Sequence, residues 1–69
     1  MGGLTSSALC ALARKLDQLI ALHLGAGGRI DDAPRVACVH TFARPMATVR
    51  TGDACIELEF AQGEWRIAV

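Results

Sequence analysis

Hydrophobic and polar positions follow two different periods, and the change of period divides the chain in two. Between about Thr5 and Leu24, the residues Leu9, Leu12, Leu16, Leu19, Ile20 and His23 recur at steps of three and four, with Ser7, Arg14 and Gln18 opposite them. That spacing predicts an amphipathic helix over about 5–24, capped by Thr5, Ser6 or Ser7 and ended by Gly25 in a left-handed conformation. Leu4, Ala8, Ala11 and Leu22 form a second, weaker apolar strip, a candidate contact for another subunit. Residues 25–34, rich in Gly and Asp, read as a flexible connection with Ile30 as its one large apolar anchor.

From Arg35 onward the period is two, which is the repeat of a half-buried strand. Strands are predicted at about Arg35 to Phe42, Ala47 to Thr51, Ala54 to Phe60 and Glu64 to Val69. With Gln62-Gly63 as a two-residue turn, Phe60 faces Trp65, Leu58 faces Ile67, Ile56 faces Val69 and, on the other side, Glu59 meets Arg66. With Gly52-Asp53 as the turn before it, Val49 faces Ile56 and Ala47 faces Leu58. A connection through Ala43, Arg44, Pro45 and Met46 sets Phe42 opposite Ala47 and His40 opposite Val49. Every pairing keeps the same residues on one face, and a slip of one residue would turn a strand's apolar set toward water. The predicted fold is therefore α+β: a single domain over 1–69 in which one N-terminal helix packs on one face of a four-stranded antiparallel β-meander.

Composition narrows the functional classes. At 69 residues there is room for one small core. A hydrophobic fraction of 52% exceeds what one helix on one sheet face needs, and self-association is the simplest outlet for the excess. Seven basic and seven acidic side chains cancel, so no net field draws in nucleic acid or an anionic membrane. Cys10, Cys38 and Cys55 are odd in number and lack a short paired spacing, which points to a reducing, cytoplasmic setting rather than a disulfide-stapled one. Arg14 and Lys15 interrupt the N-terminal apolar run, so neither a signal peptide nor a membrane span is expected. Met1-Gly2 with Ser6 fits the bare acylation pattern, but a single chain would anchor only marginally.

Candidate chemistry is sparse. Gly25-Ala26-Gly27-Gly28 looks like a phosphate-binding loop, yet it leaves a helix C-terminus, whose carbonyls repel anions. Cys38 and His40 are predicted to face inward from one strand, toward a helix that carries Cys10 and His23. Their spacing is not that of a zinc site, and no Asp or Asn is placed to orient the imidazole of a Cys-His nucleophile pair. His23 fits a structural role beside the negative end of the helix dipole. Asp31 and Asp32 open like a cation loop, but no carboxylates follow at alternating positions. Cys55 is predicted outward, opposite Arg50, whose charge favours a thiolate, and beside Glu57, which opposes it. Phe42, Phe60 and Trp65 are all assigned to the interior, leaving no aromatic platform for bases.

These readings lead to a non-enzymatic protein-binding module with no catalytic residues, metal or cofactor, and no nucleic-acid or membrane partner. The expected partner is another protein or a second copy, met by the uncovered sheet face and the first strand through Val39, Thr41, Arg50, Cys55, Glu57, Glu59 and Arg66. The alternative is a small-ligand protein with a pocket between helix and sheet beside His40 and Cys38.

Overall fold

The structure is a computed structural model that describes residues 4–68. Helix α1 spans Ser6–Gly25, a short 3₁₀ turn follows at Ile30–Asp32, and the strands are β1 (Arg35–His40), β2 (Met46–Thr51), β3 (Ala54–Ala61) and β4 (Glu64–Ile67). The strands pair antiparallel in chain order, β1-β2-β3-β4, so the predicted α-β-β-β-β meander is the observed architecture. The acylation pattern at Met1-Gly2 and the predicted Ile56–Val69 pair involve residues outside those described.

Thr5 is the residue that caps α1, its hydroxyl oxygen accepting from the Ala8 N–H at 3.1 Å. The other end closes two residues beyond the predicted Gly25. Gly27 takes the left-handed turn with φ of 89°, and its N–H donates to the Leu24 carbonyl while that of Gly28 donates to the His23 carbonyl at 2.8 Å. This double bond pattern satisfies the last free carbonyls, and a helix needs a residue tolerant of positive φ at that position. The His23 ring folds back over the loop, its Nε2–H donating to the Arg29 carbonyl at 2.8 Å. A side chain at Gly28 would collide with that imidazole.

The core is small. Ala8 and Leu12 of the helix, Ala47 and Val49 of β2, Leu58 of β3 and Trp65 of β4 are buried together, with Leu4, Ala11, Leu16, Leu19, Val36, Ile56 and Phe60 packed around them. The helix therefore presents a face turned from the predicted stripe toward the second strip: Ala8 is buried and Leu9 is half exposed. The reason is the close approach at Ala8, where a small side chain lets the helix backbone come down on Trp65. The Trp65 Nε1–H donates to the Ala8 carbonyl at 2.9 Å in a buried bond, and the indole meets the Phe60 ring with centroids 5.2 Å apart. Ile30 is exposed and anchors nothing, whereas Pro34 is buried at the entry to β1.

Two of the three hairpins keep the predicted register. Val49 faces Ile56, Ala47 faces Leu58, Arg50 faces Cys55, and Leu58 faces Ile67, Glu59 faces Arg66 and Phe60 faces Trp65. Gln62 and Gly63 both have positive φ, 54° and 79°, as a tight hairpin turn requires. The first hairpin differs. A bulge between Val36 and Cys38 leaves Ala37 as an extra residue, so Val36 faces Val49, Cys38 faces Thr48, Val39 faces Ala47 and His40 faces Met46. Beyond the bulge the faces are exchanged relative to the prediction. Val39 joins the helix side, Cys38 and His40 point away from the helix, and Phe42 lies in the loop rather than opposite Ala47, 96% exposed.

Leu58 is completely buried at the centre of this core. Leu58→Ala is expected to cost about 2–5 kcal/mol, much of the roughly 3–10 kcal/mol that a domain of this size holds. Trp65→Phe keeps most of the packing but loses the bond to Ala8, for an expected loss of about 1 kcal/mol or more. Urea denaturation followed by circular dichroism measures both, and a Trp65→Phe midpoint equal to wild type would show that the bond contributes nothing.

Candidate functional site

The sheet face turned away from the helix is a surface that the core does not use. Its side chains follow from the register: Arg35, Arg50 and Cys55 in one row, Cys38, Thr48 and Glu57 in the next, and His40, Met46, Glu59 and Arg66 in the third. Alternation on β2, β3 and β4 places them there, because the residues between them are the core. Five of the seven residues predicted for protein binding, Arg50, Cys55, Glu57, Glu59 and Arg66, share this face. Val39 is on the opposite side, and Thr41 lies past the end of β1, half-buried.

Polar groups on this face are partly satisfied within the domain. The Thr48 hydroxyl donates to Glu57 Oε2 at 2.9 Å. Arg44 reaches from the β1–β2 loop and one of its terminal nitrogens donates to both Glu59 oxygens at 3.0 and 3.1 Å. Arg66, which faces Glu59 in register, instead turns to Gln62 Oε1 at 2.7 Å and to Glu64 at 3.5 Å. A residue from the loop thus takes the partner that register alone assigns to a strand neighbour. Arg50 makes only a long contact to the Gly52 carbonyl, 3.5 Å, and it stands directly opposite Arg35. Arg35 and Arg50 form no ion pair among the described residues.

Three open clefts surround these features. One, of about 560 Å³, opens on the uncovered face and is lined by Arg44, Met46, Glu59, Arg66, Ile67 and Ala68. A second, of about 230 Å³, is bordered by Asp31, Asp32, Ala33, Arg35, Gly52 and Asp53 at the β2–β3 turn. The third, of about 150 Å³, runs between α1 and β4 past Arg14, Lys15 and Trp65. None of these three is lined by Cys38 or His40, and the bulge directs both side chains away from the helix rather than toward the expected space between helix and sheet. Among the described residues, no three His, Cys, Asp or Glu side chains gather as a metal site, and no helix is long and apolar enough to cross a membrane.

Sequence reasoning assigned Phe42 to the interior, whereas it is exposed, and paired Glu59 with Arg66 rather than with Arg44 of the loop. The signal for Phe42 was ambiguous, because an aromatic two residues past His40 continues an apparent alternation. Cys10, Cys38 and Cys55 are all free and exposed. Three thiols of the native protein are therefore expected to react with a water-soluble disulfide reagent without denaturant; a count of two, with Cys38 protected, would restore the inward-facing register of β1. No family model, curated protein or solved structure is found to match this chain.

Proposed function

We propose that this chain is a non-enzymatic protein-binding module whose contact surface is the β1 edge together with the adjoining uncovered sheet face. The observation that carries the reading is the apolar exposure at that edge. Val39 belongs by register to the core row with Ala47 and Leu58, both fully buried, yet is 40% exposed, and Phe42 stands 96% exposed three residues further on. A lone exposed leucine is ordinary, but an aromatic ring in solvent beside an unpaired strand edge has the composition of an interface anchor. The cleft on the uncovered face continues the surface, lined by Met46 together with the charged Arg44, Glu59 and Arg66. Main-chain groups of β1 supply affinity to an added strand, and side chains such as Val39 and Phe42 supply selectivity.

The test is co-purification from the native host with identification by mass spectrometry, together with light scattering of the isolated protein over a wide concentration range. Wild-type protein is expected to bring down a partner or to form a species larger than 7.3 kDa. Phe42→Ser should weaken either association by about tenfold or more, since a buried aromatic anchor contributes over 1.4 kcal/mol. Leu22→Ser, on the exposed flank of α1, is the control that should leave it unchanged. Equal retention by both variants would remove the β1 edge as the contact.

A further inference from the structure

The cleft between α1 and β4 lies at the sheet edge opposite β1. Arg14, Lys15 and Gln18 of the helix and Gly63 and Glu64 of the last hairpin border it, and Ala11 and Trp65 are its apolar residues. Neighbours on a helix point about 100° apart, so Arg14 and Lys15 approach the same space from two directions, with Gln18 one turn beyond Arg14. Guanidinium, ammonium and amide donors from residues 14–18 thus border one concavity. Gly63 has φ of 79° and nothing within 4 Å of where a Cβ would stand, so the hairpin tip leaves the opening clear.

The two cations of this cleft have no carboxylate. Arg29, Arg44 and Arg66 each have an acidic partner, at 3.9, 3.0 and 3.5 Å. Among the described residues, Arg14 and Lys15 form no ion pair, although Asp17 lies within one turn of both and Glu64 borders the same cleft. Glu64 contacts Arg66 instead. Two positive charges against one negative leave a local positive excess in a chain whose formal net charge is zero. Lys15 is half-buried although its charge is unpaired. Apolar walls keep out the solvent that would screen such charges, which strengthens their hold on an anion. The volume, about 150 Å³, is below the roughly 300 Å³ of sites for drug-sized ligands, so the cleft suits a small group and not a whole cofactor.

We propose that this cleft binds a small oxyanion, the phosphate or carboxylate group of a compact ligand, between Arg14 and Lys15. The guanidinium offers a planar fork of donors to two oxygens, the ammonium a point charge and Gln18 a neutral N–H. The apolar part of the ligand rests on Ala11 and Trp65. Glu64 at the rim repels the anion and limits its affinity. The site is additional to the protein-contact surface at the β1 edge and does not depend on it.

The experiment titrates the full chain with sodium phosphate and, separately, sodium acetate, each against sodium chloride at the same ionic strength. Trp65 is the one tryptophan, so its fluorescence reports on the cleft, and amide NMR shifts locate the anion. With at least one of the two anions, a saturable change that chloride does not produce is expected, half complete below about 10 mM and centred on residues 14–18 and 63–65. The anion that gives it identifies the group as phosphate or carboxylate. Arg14→Gln and Lys15→Gln should each raise the dissociation constant at least about tenfold, and Glu64→Gln should lower it. Arg29→Gln, which removes the same charge elsewhere, should leave it unchanged, and urea midpoints check that every variant folds. No saturable change beyond that of chloride, shifts centred elsewhere, or equal losses in Lys15→Gln and Arg29→Gln overturn the site and leave the β1 reading untouched.

Discussion

The fold depends on one contact: the Trp65 indole laid under the first turns of α1, with its N–H bound to the Ala8 carbonyl. A four-stranded meander has one apolar side, and without a cover that side stays in water. The helix is held to it by few large residues, since only Ala8 and Leu12 of α1 are fully buried. Ala8 is the residue that allows the close approach, and Trp65 is the one whose ring is large enough to fill the space beneath it and polar enough to be fixed there. A buried indole needs a partner for its N–H, so the same atom that requires satisfaction also fixes where along the helix the sheet docks.

The covering is incomplete, and the rest of the surface follows from that. A core of six buried apolar residues leaves Leu22, Ile30, Val39, Phe42 and Ile67 largely exposed in a chain whose hydrophobic fraction is 52%. Along the core row Val39–Ala47–Leu58–Ile67, the two central residues are fully buried and the two ends are not. One rod of helix is narrower than four strands: it covers Trp65 of β4 but leaves Ile67 of that strand and Val39 of β1 open. That geometry puts the unsatisfied apolar surface at the edges of the sheet, where backbone donors and acceptors are free as well.

What the sequence made legible divides along turn chemistry. The Gly52-Asp53 and Gln62-Gly63 turns leave no freedom in strand length, so the registers of β2, β3 and β4 could be read residue by residue. The connection after β1 has no such two-residue signature. Its strand offers Cys38 and His40, residues at ease on either face, and the aromatic Phe42 just beyond it completes a false alternation. A bulge costs little in such a strand, and nothing in the spacing of Val36, Val39 and Phe42 marks Ala37 as the extra residue. The helix face was legible in part: both the true strip, with Leu4, Ala8 and Ala11, and the expected one share Leu12, Leu16 and Leu19 as near neighbours. Size alone favoured Leu9 over Ala8, whereas the close approach to Trp65 needed the smaller side chain. For the candidate site, the residues of β2, β3 and β4 could be assigned to their face, while the loop residue Arg44, which takes Glu59 from Arg66, could not.

Ala8 of α1 and its anchor Trp65 of β4 lie 57 positions apart. Each hairpin of the meander closes between neighbours and can assemble as soon as its two strands exist. The helix cannot dock until Trp65 has been made, so during synthesis its apolar stripe and the inner side of the growing meander both wait in solvent. The docking of the helix is therefore a late, long-range step, whereas each hairpin closes locally.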